Sequence, residues 1–167
     1  MSNQDSRPAD GQHTSNGTPA GYSSITPFLA LADPEGALDF YTSAFGATVV
    51  NCTRMGGVVV HAELQFAAGR LQLGGASEDY GLVAPEPGSD VVSASFALYC
   101  PDVDQVVERA VAAGAVVREP VVEWVSGDRY GSIRDPFGVR WSVMTRVEDI
   151  SDAESDRRVQ EWAASQG

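Results

Sequence analysis

The sequence predicts an α+β fold of two βαβββ modules, spanning about 24–75 and 91–146 and joined by a linker at 76–90. Three observations predict it. An apolar run, an amphipathic helix and three β-rich runs follow one another in the same order twice, which marks one supersecondary unit used in tandem. The two helices begin at equivalent aspartates, Asp33 and Asp102. Their ends align as well, "FGA" at 45–47 matching "AGA" at 113–115.

Each element has its own signal. Residues 1–22 are dominated by Ser, Asn, Gln, Gly, Pro and Thr, which bury too little apolar surface to offset the entropy of ordering, so a flexible tail is expected. "ITPFLAL" at 25–31 reads as a short buried strand. The next helix has Asp33 as N-cap and Pro34 at its first position; Leu38, Tyr41 and Phe45 recur at spacings of three and four, and Gly46 ends it. "TVVNCTRM", "VVVHAELQF" and "RLQLGG" are β-rich runs separated by Gly56-Gly57 and Ala67-Ala68-Gly69, which suits an antiparallel meander. In the second module "SASFALYC" is a strand, 102–115 a helix, and "AVVREPVVEW", "DRYGSIRD" and "VRWSVMT" are strands. "DPFG" at 135–138 carries the residues of a type I turn, with Asp first and Pro second. Residues 151–167 read as a C-terminal helix capped by Ser151, with Val159 and Trp162 placed to dock it.

Composition narrows the function. The net charge is −12, and all 11 bases are arginine set against 23 acids, so no basic patch is expected to neutralise nucleic-acid phosphates. No stretch has the roughly 20 apolar residues of a membrane span, and the N-terminus lacks an apolar leader, so a cytoplasmic protein is expected. Cys52 and Cys100 have no CxxC spacing and no His cluster, and signal neither a disulfide scaffold nor zinc.

The two βαβββ units, the "ALDFYTSAFGA" helix, "HAEL", "GDRYG", "DPFG" followed by "RWS", and the closing "VEDIS" together resemble the vicinal oxygen chelate superfamily. Within it they are most similar to PhnB-like proteins of the glyoxalase/bleomycin-resistance/dioxygenase branch, over roughly residues 24–152. The resemblance implies curled mixed sheets around a cavity, commonly in a homodimer. It also implies a divalent metal held by His, Gln or Glu near the start of the first strand and on the last strand of each unit. The equivalent positions here are Thr26, Gln72, Ser95 and Ser142. Hydroxyl and amide oxygens are weak neutral ligands where zinc, nickel or iron needs imidazole, thiolate or carboxylate. No cofactor is therefore expected, with a divalent metal at a non-standard site as the alternative.

Strand alternation selects the remaining candidates. Along "VVVHAELQF", Val60, Ala62, Leu64 and Phe66 are expected under the helix, and Val59, His61, Glu63 and Gln65 on the other face. His61 and Glu63 are the catalytic candidates, because a carboxylate beside a His raises its basicity; a solvated strand surface is the competing reading. Thr26, Phe28, Gln72, Ser95, Tyr99 and Ser142, with His61, are expected to line one cavity suited to a small organic ligand. Trp124 ends a strand where an aromatic can cover a ligand, and Arg129 and Tyr130 of "GDRYG" are candidates for ligand recognition or a dimer contact. Trp141 is expected in the core. Three functions follow: a metal-free small-molecule binder of the bleomycin-resistance type, a metal-dependent glyoxalase-like lyase/isomerase or extradiol dioxygenase using His61, Glu63 and Gln72, and a non-catalytic protein-interaction domain. The fold alone does not choose among them.

Overall fold

The structure, a computed structural model, describes residues 7–167, so the first six residues of the expected tail lie outside it. Within the rest of that segment, β1 (Thr14–Ser15) and β2 (Thr18–Pro19) pair as an antiparallel hairpin. Asn16 and Gly17 both have positive φ, 44° and 80°. Asn-Gly is the pair a two-residue hairpin turn favours, a local signal that overall composition conceals.

The first module comprises β3 (Phe28–Leu31), α1 (Pro34–Phe45), β4 (Thr48–Met55), β5 (Val58–Gln65) and β6 (Arg70–Gly75). A 3-10 turn, Glu78–Tyr80, interrupts the linker. The second module comprises β7 (Ser95–Tyr99), α2 (Val103–Ala112), β8 (Val116–Glu123), β9 (Asp128–Arg134) and β10 (Arg140–Arg146), and α3 (Asp152–Ser165) follows. The sheets have equivalent orders, β3-β6-β5-β4 and β7-β10-β9-β8. In each, the first strand runs parallel to the last and the other pairs are antiparallel, so the repeat in sequence is a repeat in topology.

Local chemistry sets the helix ends. The Asp33 side chain accepts from the Gly36 N–H at 2.9 Å, and Gly46 supplies the left-handed C-cap with φ 71°. Asp102 accepts from the Gln105 N–H at 3.0 Å, and Ser151 from the Glu154 N–H at 3.2 Å. β3 is shorter than the apolar run suggested: Ile25 is 82% exposed and the strand begins at Phe28.

One core serves both modules. Tyr41 of α1 is fully buried and stacks edge-on against Trp141 of β10, with ring centroids 5.4 Å apart. Its hydroxyl donates to Asp135 at 2.7 Å. The same carboxylate accepts from Trp141 Nε1 and from the backbone N–H groups of Phe137 and Val139, each at 2.9 Å. The "DPFG" turn closes through Gly138 N–H to the Asp135 carbonyl at 3.2 Å. Asp135 thus shapes its own turn and ties it to the other module's helix. Burial pushes its carboxyl above the ordinary range, against the four donors that favour the charged form. Burial, then the neighbouring Asp135, pushes the Tyr41 phenol up as well. Arg109 of α2 adds a further tie by donating to the Ala44 carbonyl at 3.1 Å.

The expected alternation along β5 fails at two residues. Val59 is 1% exposed and Val60 is 38% exposed, the reverse of the simple pattern, while Ala62 and Leu64 are buried as expected. The cause is a bulge: Thr53 pairs with His61 but Arg54 pairs with Val59, leaving Val60 without a partner. One extra residue in a ladder of period two moves every side chain beyond it to the opposite face. The displaced Val60 carbonyl lies over Gly74, where any Cβ would collide with it.

Candidate functional site

On the non-helix face of the first sheet, register aligns Phe28, Gln72, Glu63 and Asn51 across β3, β6, β5 and β4. Glu63 is buried and used by its neighbours: Gln72 Nε2 donates to it at 3.3 Å, and the Arg70 guanidinium lies 3.4 Å away. Arg70 also donates to Gln65 at 3.0 Å and sits under the Tyr22 ring, 4.3 Å from its centroid. His61 stacks against Phe28, with centroids 6.2 Å apart, and no hydrogen bond joins it to Glu63. The Glu63 carboxylate is therefore spent on a structural network.

Within the single chain, Thr26, Phe28, His61, Gln72, Ser95, Tyr99 and Ser142, expected to share one cavity, are not brought together in any of three cavities that some of them line. Thr26 and Gln72 line an open hollow of about 480 Å³ beneath residues 17–24. Phe28 lines a cleft of about 410 Å³ against the linker, and Tyr99 a groove of about 320 Å³ between the modules. The reason is topological. Phe28, His61 and Gln72 belong to one sheet, with Thr26 just ahead of it, and Ser95, Tyr99 and Ser142 belong to the other, and the shared core packs the modules through their helices.

A cavity of about 590 Å³ lies on the non-helix face of the second sheet. Register puts Tyr99, Met144, Tyr130 and Val122 in one row across β7, β10, β9 and β8. Tyr130, Met144 and Val122 line the cavity together with Trp124, Glu119, Pro120, Ser126 and Asp128. β8 is an edge strand, which tolerates Pro120, and its pairing slips between Glu119 and Val122. That slip folds Val121 over Gly131 on the core side and turns Val122 into the cavity.

Polar groups here are few and mostly committed. Asp128, 5% exposed, accepts from Ser126 Oγ at 2.8 Å and from Arg146 Nε at 2.8 Å. The Tyr130 hydroxyl donates to Glu119 at 3.0 Å. Arg129, adjacent to Tyr130, points to the other face and grips Asp104 of α2 with two bonds at 2.6 and 2.8 Å. Consecutive strand residues face opposite ways, so Arg129 and Tyr130 do not share a ligand surface. The C-terminal helix completes the rim: Trp162 packs on Trp124 at 4.7 Å, and Ser155 Oγ donates to the Ser126 carbonyl at 3.0 Å.

Of the candidates, Trp124 and Tyr130 are brought together in this cavity; Glu119, Val122 and Met144 join them without having been singled out. A tyrosine and a methionine at matching offsets from the "DPFG" turn carry a cross-strand signal, but the slip in β8 hides its contribution.

The metal that the superfamily usually holds meets a poor donor set. Thr26, Gln72, Ser95 and Ser142 offer neutral oxygens, and Glu63 is bound by Arg70 and Gln72. Among the described residues no three His, Cys, Asp or Glu side chains converge. These residues do not fit a zinc, nickel or iron ion.

Residues 23–143 match the Glyoxalase/Bleomycin resistance protein/Dioxygenase superfamily, and the chain belongs to it. An uncharacterized protein of Mycobacterium bovis is 30% identical over 152 residues, covering 86% of this chain and 93% of its own length. Among solved structures, TioX of Micromonospora sp. ML1 superposes with a TM-score of 0.59 at 24% identity, over 77% of this chain and 100% of its own. A putative 3-demethylubiquinone-9 3-methyltransferase, PhnB protein, of Bacillus cereus superposes with a TM-score of 0.57 at 21% identity, over 74% and 99%. Both likenesses define the fold. No helix among the described residues is long and apolar enough to cross a membrane.

Proposed function

We propose that this protein binds a small organic molecule, without a metal, in the second module's cavity, as a PhnB-like member of the bleomycin-resistance type. The observation that carries this reading is the lining itself: Trp124, Tyr130, Met144, Val122 and Pro120 around about 590 Å³, with few polar groups. A concave, mostly apolar cavity with a small number of hydrogen-bonding groups is the usual make-up of a ligand site. Its donors and acceptors, the Tyr130 hydroxyl and the Glu119 carboxylate, suit recognition, and the Ser126–Asp128 pair in the lining has its carboxylate held by Arg146. The metal-dependent alternative needs His61, Glu63 and Gln72 to converge on one ion, while Glu63 already serves Arg70 and Gln72. A cytoplasmic homodimer is the working form; the dimer is supported by exposed apolar side chains on the β4–β5 hairpin, where Val50, Met55 and Val58 are 47%, 69% and 57% exposed.

The test is a thermal-shift screen of aromatic metabolites and antibiotics, with elemental analysis before and after loading with nickel, zinc, manganese and iron. The expected result is ligand-dependent stabilisation of the metal-free protein that Trp124→Ala abolishes. Stoichiometric metal retention that His61→Ala removes, with turnover of substrate, would overturn the reading.

A further inference from the structure

We infer that the second module's cavity selects cationic aromatic molecules, those joining a fused or substituted ring to a protonated amine. This rests on the ligand-binding reading above and adds the chemical class.

The charged side chains lining the cavity are Glu119 and Asp128, both acidic. They differ in what they have to spare. Asp128 is buried and neutralised by Arg146, with Ser126 on its second oxygen, so it adds little net charge to an incoming ligand. Glu119 is open: its side chain is 55% exposed, one oxygen accepts only the Tyr130 hydroxyl, and the other lies 3.8 Å from Arg118. That arginine has a closer partner in Asp90, at 2.9 Å. A carboxylate at this site thus keeps acceptor capacity facing the cavity.

The apolar walls favour the same charge. Trp124 and Tyr130 line it with aromatic rings, and the quadrupole of such a ring attracts cations most strongly where water is displaced. The Met144 thioether adds a polarizable contact to an aromatic body. An anion meets the reverse: the neighbouring arginines are committed, Arg146 to Asp128, Arg118 to Asp90, and Arg129 to Asp104 on the far face of the sheet. The chain's net charge of −12 also raises the local concentration of cations.

The test uses three probes with one ring system, 1-naphthylmethylamine, 1-naphthylmethanol and 1-naphthylacetate, titrated calorimetrically into the full chain and into Glu119→Gln at pH 7. The amine is expected to bind about tenfold more tightly than the alcohol and the acetate most weakly. In Glu119→Gln, alcohol affinity is expected to be unchanged and the amine's advantage to fall several-fold, with the same loss in wild type on adding salt. Equal affinities for all three probes, or an amine preference that survives Glu119→Gln, would overturn the charge selectivity and leave the ligand-binding reading standing. Binding by none of the three would overturn both. Tighter binding of the acetate would overturn the inference outright.

Discussion

The two modules share strand order, helix placement and capping chemistry, yet their open faces have opposite characters. The first module fills its face with its own polar side chains, Glu63, Arg70, Gln72 and Gln65, and lays Tyr22 over them. The second leaves a cavity walled by Trp124, Tyr130 and Met144, with a helix at its rim. The difference arises from side chains and from local slips in strand pairing on a common topology. A duplicated fold can therefore keep one face for stability and the other for recognition.

The largest expected effect tests how far the modules are one structure. Asp135→Ala removes the acceptor of Tyr41, Trp141 and two backbone N–H groups, leaving buried donors unpaired. A loss of about 3–5 kcal/mol is expected, in a single urea transition because the carboxylate ties both modules. Two separated transitions would break the picture of one shared core. Next comes Gly74→Ala, whose methyl group meets the Val60 carbonyl. It is expected to cost about 1–3 kcal/mol while leaving probe affinity in the second module unchanged.

A smaller pair of substitutions sharpens the functional contrast. Trp124→Ala is expected to weaken 1-naphthylmethylamine about tenfold or more, and Phe28→Ala, on the first face, by less than about twofold. Equal losses would place the ligand between the modules. The smallest effect is in α3, where Arg157 and Arg158 lower the Glu154 carboxyl to about 2 from its ordinary 4.5. A depressed acid stabilises the folded form above the unfolded pKa and loses that contribution as pH falls through the folded one. Docking of α3, read from the Trp162 indole resonance, is therefore expected to weaken between pH 4.5 and about 2 and to be unaffected above that window.

Much of this architecture was legible in the sequence because its signals are local. Asp33, Pro34 and Gly46 bound α1, Asp102 begins α2 and Ser151 caps α3, as expected from capping chemistry. Trp141 packs in the core on the face that alternation assigned it. What escaped depends on single insertions and on pairings distant in sequence. The Val60 bulge inverts two valines that look alike in any apolar pattern, and the slip at Glu119–Val122 brings side chains into the cavity that period-two counting sends elsewhere. The Asn16-Gly17 hairpin was hidden by reading the N-terminal segment as composition and not as turns. Tyr130 and Arg129, taken together as neighbours, are separated by the pleat of the strand.

The central claim, that recognition belongs to the second module's open face, is tested most directly by methionine methyl spectroscopy. Met144 lines the cavity, and Met55, 69% exposed at the end of β4, is a reference in the first module. Titrating 1-naphthylmethylamine into metal-free protein carrying 13C-methyl methionine is expected to shift the Met144 signal saturably and leave Met55 in place. Movement of Met55 with Met144 unchanged, or a response that appears only after metal loading, would contradict the account.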